Sequence, residues 1–175
     1  ISHEYLIEQL QYSREIASTS TKLNLNHPVK EIIWTIQNIN VIDSKTTNAA
    51  NDASLNNQTN LANGNDYFCY TSLNDPEDAD MVEYLNYEKS FEPFDKFNIK
   101  LNGHDRFSKQ KASYFRLLQP FQCGHKVPTK HIYLYSFALK PEEHQPSGTC
   151  NFSRIDNAEL SFTKVRPNSN INIYA

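Results

Sequence analysis

Glycine is scarce in this chain, four residues in 175, and that scarcity removes the raw material for loops that cradle phosphate with backbone N–H groups. No GxGxxG, P-loop or GxSxG pattern occurs, so nucleotide chemistry and the serine hydrolases have no support in the sequence. Cysteine is equally thin. Cys69, Cys123 and Cys150 are an odd number at wide spacing, with no CxxC pair, which indicates neither a disulfide framework nor a zinc site and suits reduced thiols. Positive charge is not in excess: seventeen Lys and Arg stand against twenty Asp and Glu, a formal charge of -3. No face basic enough to hold a phosphate backbone is implied, so nucleic acid is not an expected ligand. No run approaches the roughly 20 apolar residues of a membrane-spanning helix, no charged-then-apolar leader opens the sequence, and no membrane insertion is expected.

What the chain does have is aromatic weight. Ten Phe, ten Tyr and one Trp make up 12% of the residues in a chain whose mean hydropathy is only -0.66. Disordered chains lack that aromatic content, so the apolar surface is concentrated rather than absent. The length suits one domain with a real core. The sequence opens at Ile1 without a Met and stops at Ala175 inside an alternating run, which suggests a piece of a longer protein.

Period-2 alternation of β-branched and aromatic residues marks the strands. Ile32, Trp34 and Ile36 alternate with Ile33, Thr35 and Gln37 between Val29 and Gln37. Phe97, Ile99 and Leu101 alternate with Asn98 and Lys100 and run into Asn102-Gly103, a pair that tolerates the positive φ of a tight turn. The stretch Ile132 to Leu139 is apolar on both alternating sets, as expected of a strand covered on both faces. Leu160 and Phe162, then Ile171 and Ile173, predict two half-buried strands. One helix is expected, capped by Asp105, with Phe107, Lys111, Tyr114 and Leu118 on one face and Pro120 as its stop. Tyr5 to Ile16 fits a helical face and a strand about equally. Residues 43–93 interrupt the pattern with seven Asn between Asn48 and Asn65 and the acidic run Asp75 to Asp80; they predict a polar surface insertion on a β-sandwich.

Catalytic arrangements fare poorly. The six histidines show neither His-x-His nor HExxH spacing. A sandwich could gather His104, Asp105, His125 and His131 in space, but scattered loop histidines are the commoner case, so no metal site and no cofactor are expected. Cys123-Gly124-His125 places a thiol near a base, yet adjacent side chains in a loop diverge, and Glu142-Glu143 reads as a solvated turn. Two N-x-S/T acceptors, at Asn57 and Asn151, are the candidate glycosylation positions; the first falls in the insertion and the second opens a strand.

Three blocks carry a family resemblance. They are Leu101-Asn102-Gly103-His104-Asp105-Arg106-Phe107, then Tyr114-Phe115-Arg116-Leu117-Leu118-Gln119-Pro120-Phe121, and above all Ile132 to Ile155. Within the last, Tyr135-Ser136-Phe137-Ala138-Leu139-Lys140-Pro141-Glu142-Glu143-His144-Gln145-Pro146-Ser147-Gly148-Thr149-Cys150-Asn151-Phe152 runs almost without interruption along the signature. Asn26 to Trp34 is similar to an earlier strand. All of these resemble the major capsid proteins of nucleocytoplasmic large DNA viruses. The resemblance implies an all-β jelly-roll sandwich, the second, C-terminal half of a double jelly roll, spanning 1–175 with one short helix and the long insertion at about 43–93; the N-terminal jelly roll is missing from the sequence. It also makes Tyr5 to Ser13 the first strand. The implied function is structural and not enzymatic: a homotrimer forming a pseudo-hexagonal capsomer, in contact with neighbouring capsomers, penton and minor capsid proteins, assembled in the host cytoplasm and resident in the virion. Two rivals are a glycan-binding jelly roll, whose tyrosines would stack on sugar rings, and a cupin-like metalloenzyme, which needs clustered ligands that the spacing does not supply.

Overall fold

The structure, a computed structural model, describes residues 2–38, 92–166 and 169–175. Most of the expected insertion, with Asn57 and Cys69, lies outside the described residues. The strands in chain order are β1 (Tyr12–Ile16), β2 (Ser20–Lys22), β3 (Pro28–Val29), β4 (Glu31–Asn38), β5 (Lys96–Leu101), β6 (His104–Asp105), β7 (Gln110–Lys111), β8 (Ile132–Ser136), β9 (Cys150–Asn151), β10 (Ala158–Thr163) and β11 (Ser169–Tyr174).

Two antiparallel sheets face each other. One runs β1-β11-β4-β8, the other β2-β10-β5-β6 with β7 also on β5. Because β10 pairs with β5 along its whole length, β6 and β7 must share the other edge of β5. There β6 meets Lys100 and Leu101, and β7 meets Lys96 and Phe97. The two short strands are therefore one broken lane, and each sheet has four lanes. The chain passes between the sheets from β1 to β2 to β4 to β5, and back through β8, β10 and β11, which is the crossing pattern of a jelly roll. A separate ribbon, β3 with β9, ties Val29 to Cys150.

The alternation read from the sequence is the alternation that is buried. Ile32, Trp34 and Ile36 of β4 point inward, and the register sets Trp34 beside Ile173 and Ile36 beside Ile171. From the opposite sheet Phe97 comes within 4.4 Å of the Trp34 ring, centroid to centroid. Phe94, Phe115, Tyr133 and Phe162 complete a fully enclosed aromatic cluster around that pair. Contacts of this kind add to the plain burial of apolar area, which is worth about 25 cal/mol per Å². The polar positions of β4 and β11 are not wasted either. On the other face Asn172 donates to Thr35 Oγ1 and Gln37 Oε1, both at 3.4 Å, and accepts from the Tyr12 hydroxyl at 3.1 Å. The Asn-Ile-Asn-Ile run thus serves two environments.

Three expectations shift. The helix does not start at Asp105, which lies in β6, and Lys111 lies in β7. A π-helical turn, Tyr114–Leu118, runs into the short helix α1, Gln119–Gln122, with Pro120 near its start rather than beyond its end. Proline has no N–H to give to the residue four before it. The wider π turn absorbs this, its bond running from Gln119 N–H back to Tyr114 O. Termination falls to Gly124, at φ +86°, where Gly124 N–H reaches Phe121 O and His125 N–H reaches Pro120 O, the paired bonds of a Schellman end. The first strand begins at Tyr12 instead of Tyr5, because the ladder with β11 ends in the mutual bonds of Gln11 and Ala175. Lastly, Ile132 to Leu139 is covered on both faces only in part: Tyr133 and Leu134 are buried on opposite faces, whereas β8 stops at Ser136 and Leu139 is 79% exposed. The Asn102-Gly103 turn is as expected, with both residues at positive φ.

Candidate assembly surface

The block from Ile132 to Ile155 turns out to be a clamped closure at one end of the sandwich. After β8 the chain turns over Lys30, whose carbonyl accepts from the N–H groups of both Phe137 and Ala138. Ser136 Oγ donates to Ala138 O at 2.7 Å. The excursion from Lys140 to Ser147 is pinched at its neck, since Ser147 Oγ accepts from Lys140 N–H at 2.8 Å. Gly148, at φ +143°, sits so close to the preceding strand exit that a Cβ would fall 2.8 Å from Phe137 O. No L side chain fits there. Beyond it β9 pairs with β3, Phe152 is buried and meets Phe137 edge-on at 5.8 Å, and His27 N–H donates to Ser153 Oγ at 2.8 Å.

Asn151, the second glycosylation candidate, takes part in this closure. Its side-chain oxygen accepts from Ser153 N–H at 3.1 Å and caps the 3₁₀ turn Phe152–Arg154. Asn57 lies outside the described residues.

The residues weighed for chemistry are dispersed. His104 and Asp105 are exposed on β6. His131 is buried, 3.8 Å from Glu92, which also accepts from the Tyr133 hydroxyl at 2.5 Å and from Arg116 at 2.8 Å. That knot fastens the helix to β8, and burial first, then the Glu92 charge, holds the Tyr133 phenol well above its usual range. His125 is elsewhere, its ring between Glu31 at 2.9 Å and Glu142 at 2.7 Å. Among the described residues no group of three or more His, Cys, Asp or Glu is arranged to hold a metal. The Cys123 thiol faces Ser136 rather than a base, and burial pushes it up, away from the reactive thiolate. Glu142 and Glu143 do not form a carboxylate pair: the first binds His125 and the second Lys140. The Glu31–His125–Glu142 bridge was not legible in advance, because its members are 94 and 17 residues apart and follow no spacing rule.

The surface carries a different signal. Among the described residues, exposed large apolar side chains fall in two places, with Leu139 alone besides. One is the N-terminal stretch and β1, where Tyr5 and Ile7 are more than 80% exposed and Leu10, Tyr12 and Ile16 follow. The other is the helical turn and the loop after it, with Leu117, Leu118, Phe121 and Val127. Periodicity had set Leu118 on one helical face with Phe107, Lys111 and Tyr114. In the structure Phe107 and Tyr114 pack against the core while Leu118 is exposed, so the four do not share one face.

Comparison with known proteins gives one answer throughout. The family model described as large eukaryotic DNA virus major capsid protein matches residues 1–175. The chain is 35% identical over 199 residues to the major capsid protein of Pyramimonas orientalis virus, covering 100% of this chain and 39% of that protein. It is 40% identical over 172 residues to the major capsid protein of Paramecium bursaria Chlorella virus 1, covering 93% and 37%. Among solved structures it is similar to a chain of the capsid of the latter virus, at a TM-score of 0.63 and 32% identity over 99% of this chain and 47% of that one. The chain therefore spans about two fifths of the length of these curated relatives.

Proposed function

Because the chain belongs to the family of large eukaryotic DNA virus major capsid proteins, we propose that it supplies one rigid brick of a viral outer shell, the C-terminal jelly roll of a double jelly-roll subunit. Three subunits associate in this reading into a pseudo-hexagonal capsomer, which meets neighbouring capsomers, penton and minor capsid proteins; assembly takes place in the host cytoplasm. The protein works by packing, not by catalysis. The observation that carries this reading is the family match over the whole chain together with eight lanes of strand closed into a jelly roll. A sandwich closed by backbone bonds and an aromatic core leaves its outer surfaces free to vary and to tile.

The test is the solution mass of the complete gene product, measured by light scattering after size exclusion. A mass of three chains, and hexagonal outlines in negative-stain images, are expected. A folded monomer at micromolar concentration sinks the capsomer reading.

A further inference from the structure

Both nitrogens of the His125 ring meet carboxylates. Nε2 lies 2.9 Å from Glu31 Oε2 and Nδ1 lies 2.7 Å from Glu142 Oε1. A neutral imidazole offers one N–H and one lone pair, whereas an ionised carboxyl group only accepts. Two such bonds need two N–H groups, so the bridge belongs to the imidazolium. The His125 side chain is only 13% exposed, and water does little there to replace a bond that is lost.

The three partners differ in how firmly they are held. Glu31 opens β4, which pairs with β8 on one side and β11 on the other, so it cannot move away without opening the sheet. His125 is fixed through its backbone, whose N–H donates to Pro120 O at 2.9 Å beside α1. Glu142 stands on the excursion from Lys140 to Ser147, where Pro141 is buried but Glu142 to Pro146 are all exposed. A stretch that buries so little apolar area is positioned by its polar bonds. Besides the His125 bond it has the pinched neck at Ser147, the Lys140–Glu143 pair, and the Lys30 ammonium donating to Glu143 O at 3.1 Å.

We infer that His125 is a proton-operated latch. With both nitrogens protonated it ties the excursion to β4 and α1; when Nδ1 gives its proton to solvent, the Glu142 carboxylate faces a lone pair and the tip of the excursion is released. The latch lies within one chain and is independent of the capsomer reading. Imidazoles change charge between about pH 5 and 8. Closure binds the proton, so it is favoured below that range and lost as pH rises through it. It is lost again in stronger acid, at about pH 4, where carboxyl groups take up protons. The Cys123 thiol on the same turn is raised by burial first and, more weakly, by the Glu31 charge, so it stays protonated across the range. Lys126, next in the chain, is exposed. Lys140 pairs with Glu143 and Lys30 with Glu8. The rival imidazole on the excursion is His144, 3.9 Å from Glu8.

The experiment is hydrogen exchange by mass spectrometry on the complete gene product between about pH 5.5 and 8, with each rate corrected for the intrinsic dependence of exchange on pH. In the parent, protection of residues 139–147 should fall about two- to fivefold as pH rises, while β4 and β11 stay constant. Glu142→Gln should flatten the dependence, since an amide can accept from an N–H or donate to a lone pair, and a substitution at this exposed position leaves the fold intact. His125→Gln should be equally flat and less protected, whereas His144→Gln should keep the parental fall. If protection in the parent does not change with pH, or if the fall survives in Glu142→Gln, the latch is overturned. A fall that disappears only in His144→Gln gives the switch to the Glu8 contact and overturns it for His125.

Discussion

The interior of the sandwich and the helical patch on its surface are built from the same residue types, yet they teach opposite things. Trp34, Phe97 and Phe162 are enclosed, and their positions follow from strand alternation and register. Leu117 and Phe121 are just as apolar, but Phe121 is 72% exposed, on a helix whose face is set by a proline and a π turn. Folding consumes the first set. The second stays at the surface of the described residues.

The comparison can be broken most sharply at its buried end. Trp34→Ala should cost about 3–5 kcal/mol, read as a fall in the denaturant midpoint with an unchanged slope; a loss below about 1 kcal/mol would mean that the aromatic cluster is not the core. Next is Gly148→Ala. With φ at +143° and Phe137 O in the way of any Cβ, the closure of the sandwich end should lose about 1–3 kcal/mol, and amide exchange should rise in residues 137–149 before it rises in β4. A smaller effect of opposite sign is expected at Asn98, which is fully buried on β5 with neither side-chain polar atom hydrogen-bonded. Asn98→Leu removes an unpaired polar group and should stabilise by about 1 kcal/mol; a drop in melting temperature would show that the amide is satisfied in the folded chain or that Leu does not fit its site.

At the exposed end, Phe121→Asp should change stability by less than about 0.5 kcal/mol, read as an unshifted denaturant midpoint; a larger loss would mean that Phe121 is covered in the folded chain. The smallest effect concerns acid. Glu159 accepts from the Asn157 amide at 2.8 Å and the Ser20 hydroxyl at 3.0 Å, and these bonds, the first being the larger cause, lower its carboxyl from the usual 4.5. A lowered value means that the stabilisation is present above the unfolded value and is lost as pH falls through the folded one. The acid limb of melting temperature against pH should therefore be shallower in Glu159→Gln, and an unchanged limb would remove Glu159 from the pairing of β2 with β10.

Within that comparison, what could be read in advance divides along the same line. Alternation placed β4, β5, β10 and β11 to within a residue or two, because a pleated strand with one face in a core must alternate. The hairpin at Asn102-Gly103 was legible because few residue pairs accept positive φ in succession. The helix was misread at both ends: Phe107, Lys111, Tyr114 and Leu118 share a period, but β6 and β7 already claim Asp105 and Lys111 through their bonds to β5. The first strand, which the resemblance put at Tyr5 to Ser13, starts seven residues later at Tyr12, since a strand extends only as far as a partner backbone accompanies it.

By itself the sequence determined that this is a β-rich chain with an aromatic core, no catalytic spacing and the blocks of a capsid family, since local periodicity, turn chemistry and motif identity are written in adjacent residues. Only the tertiary structure decided that His125 bridges Glu31 and Glu142, that Glu92, Arg116 and Tyr133 form one knot, and that two apolar groups stay outside. Each of those facts depends on segments far apart in the chain arriving at one place, and no local pattern encodes where a distant partner will stand.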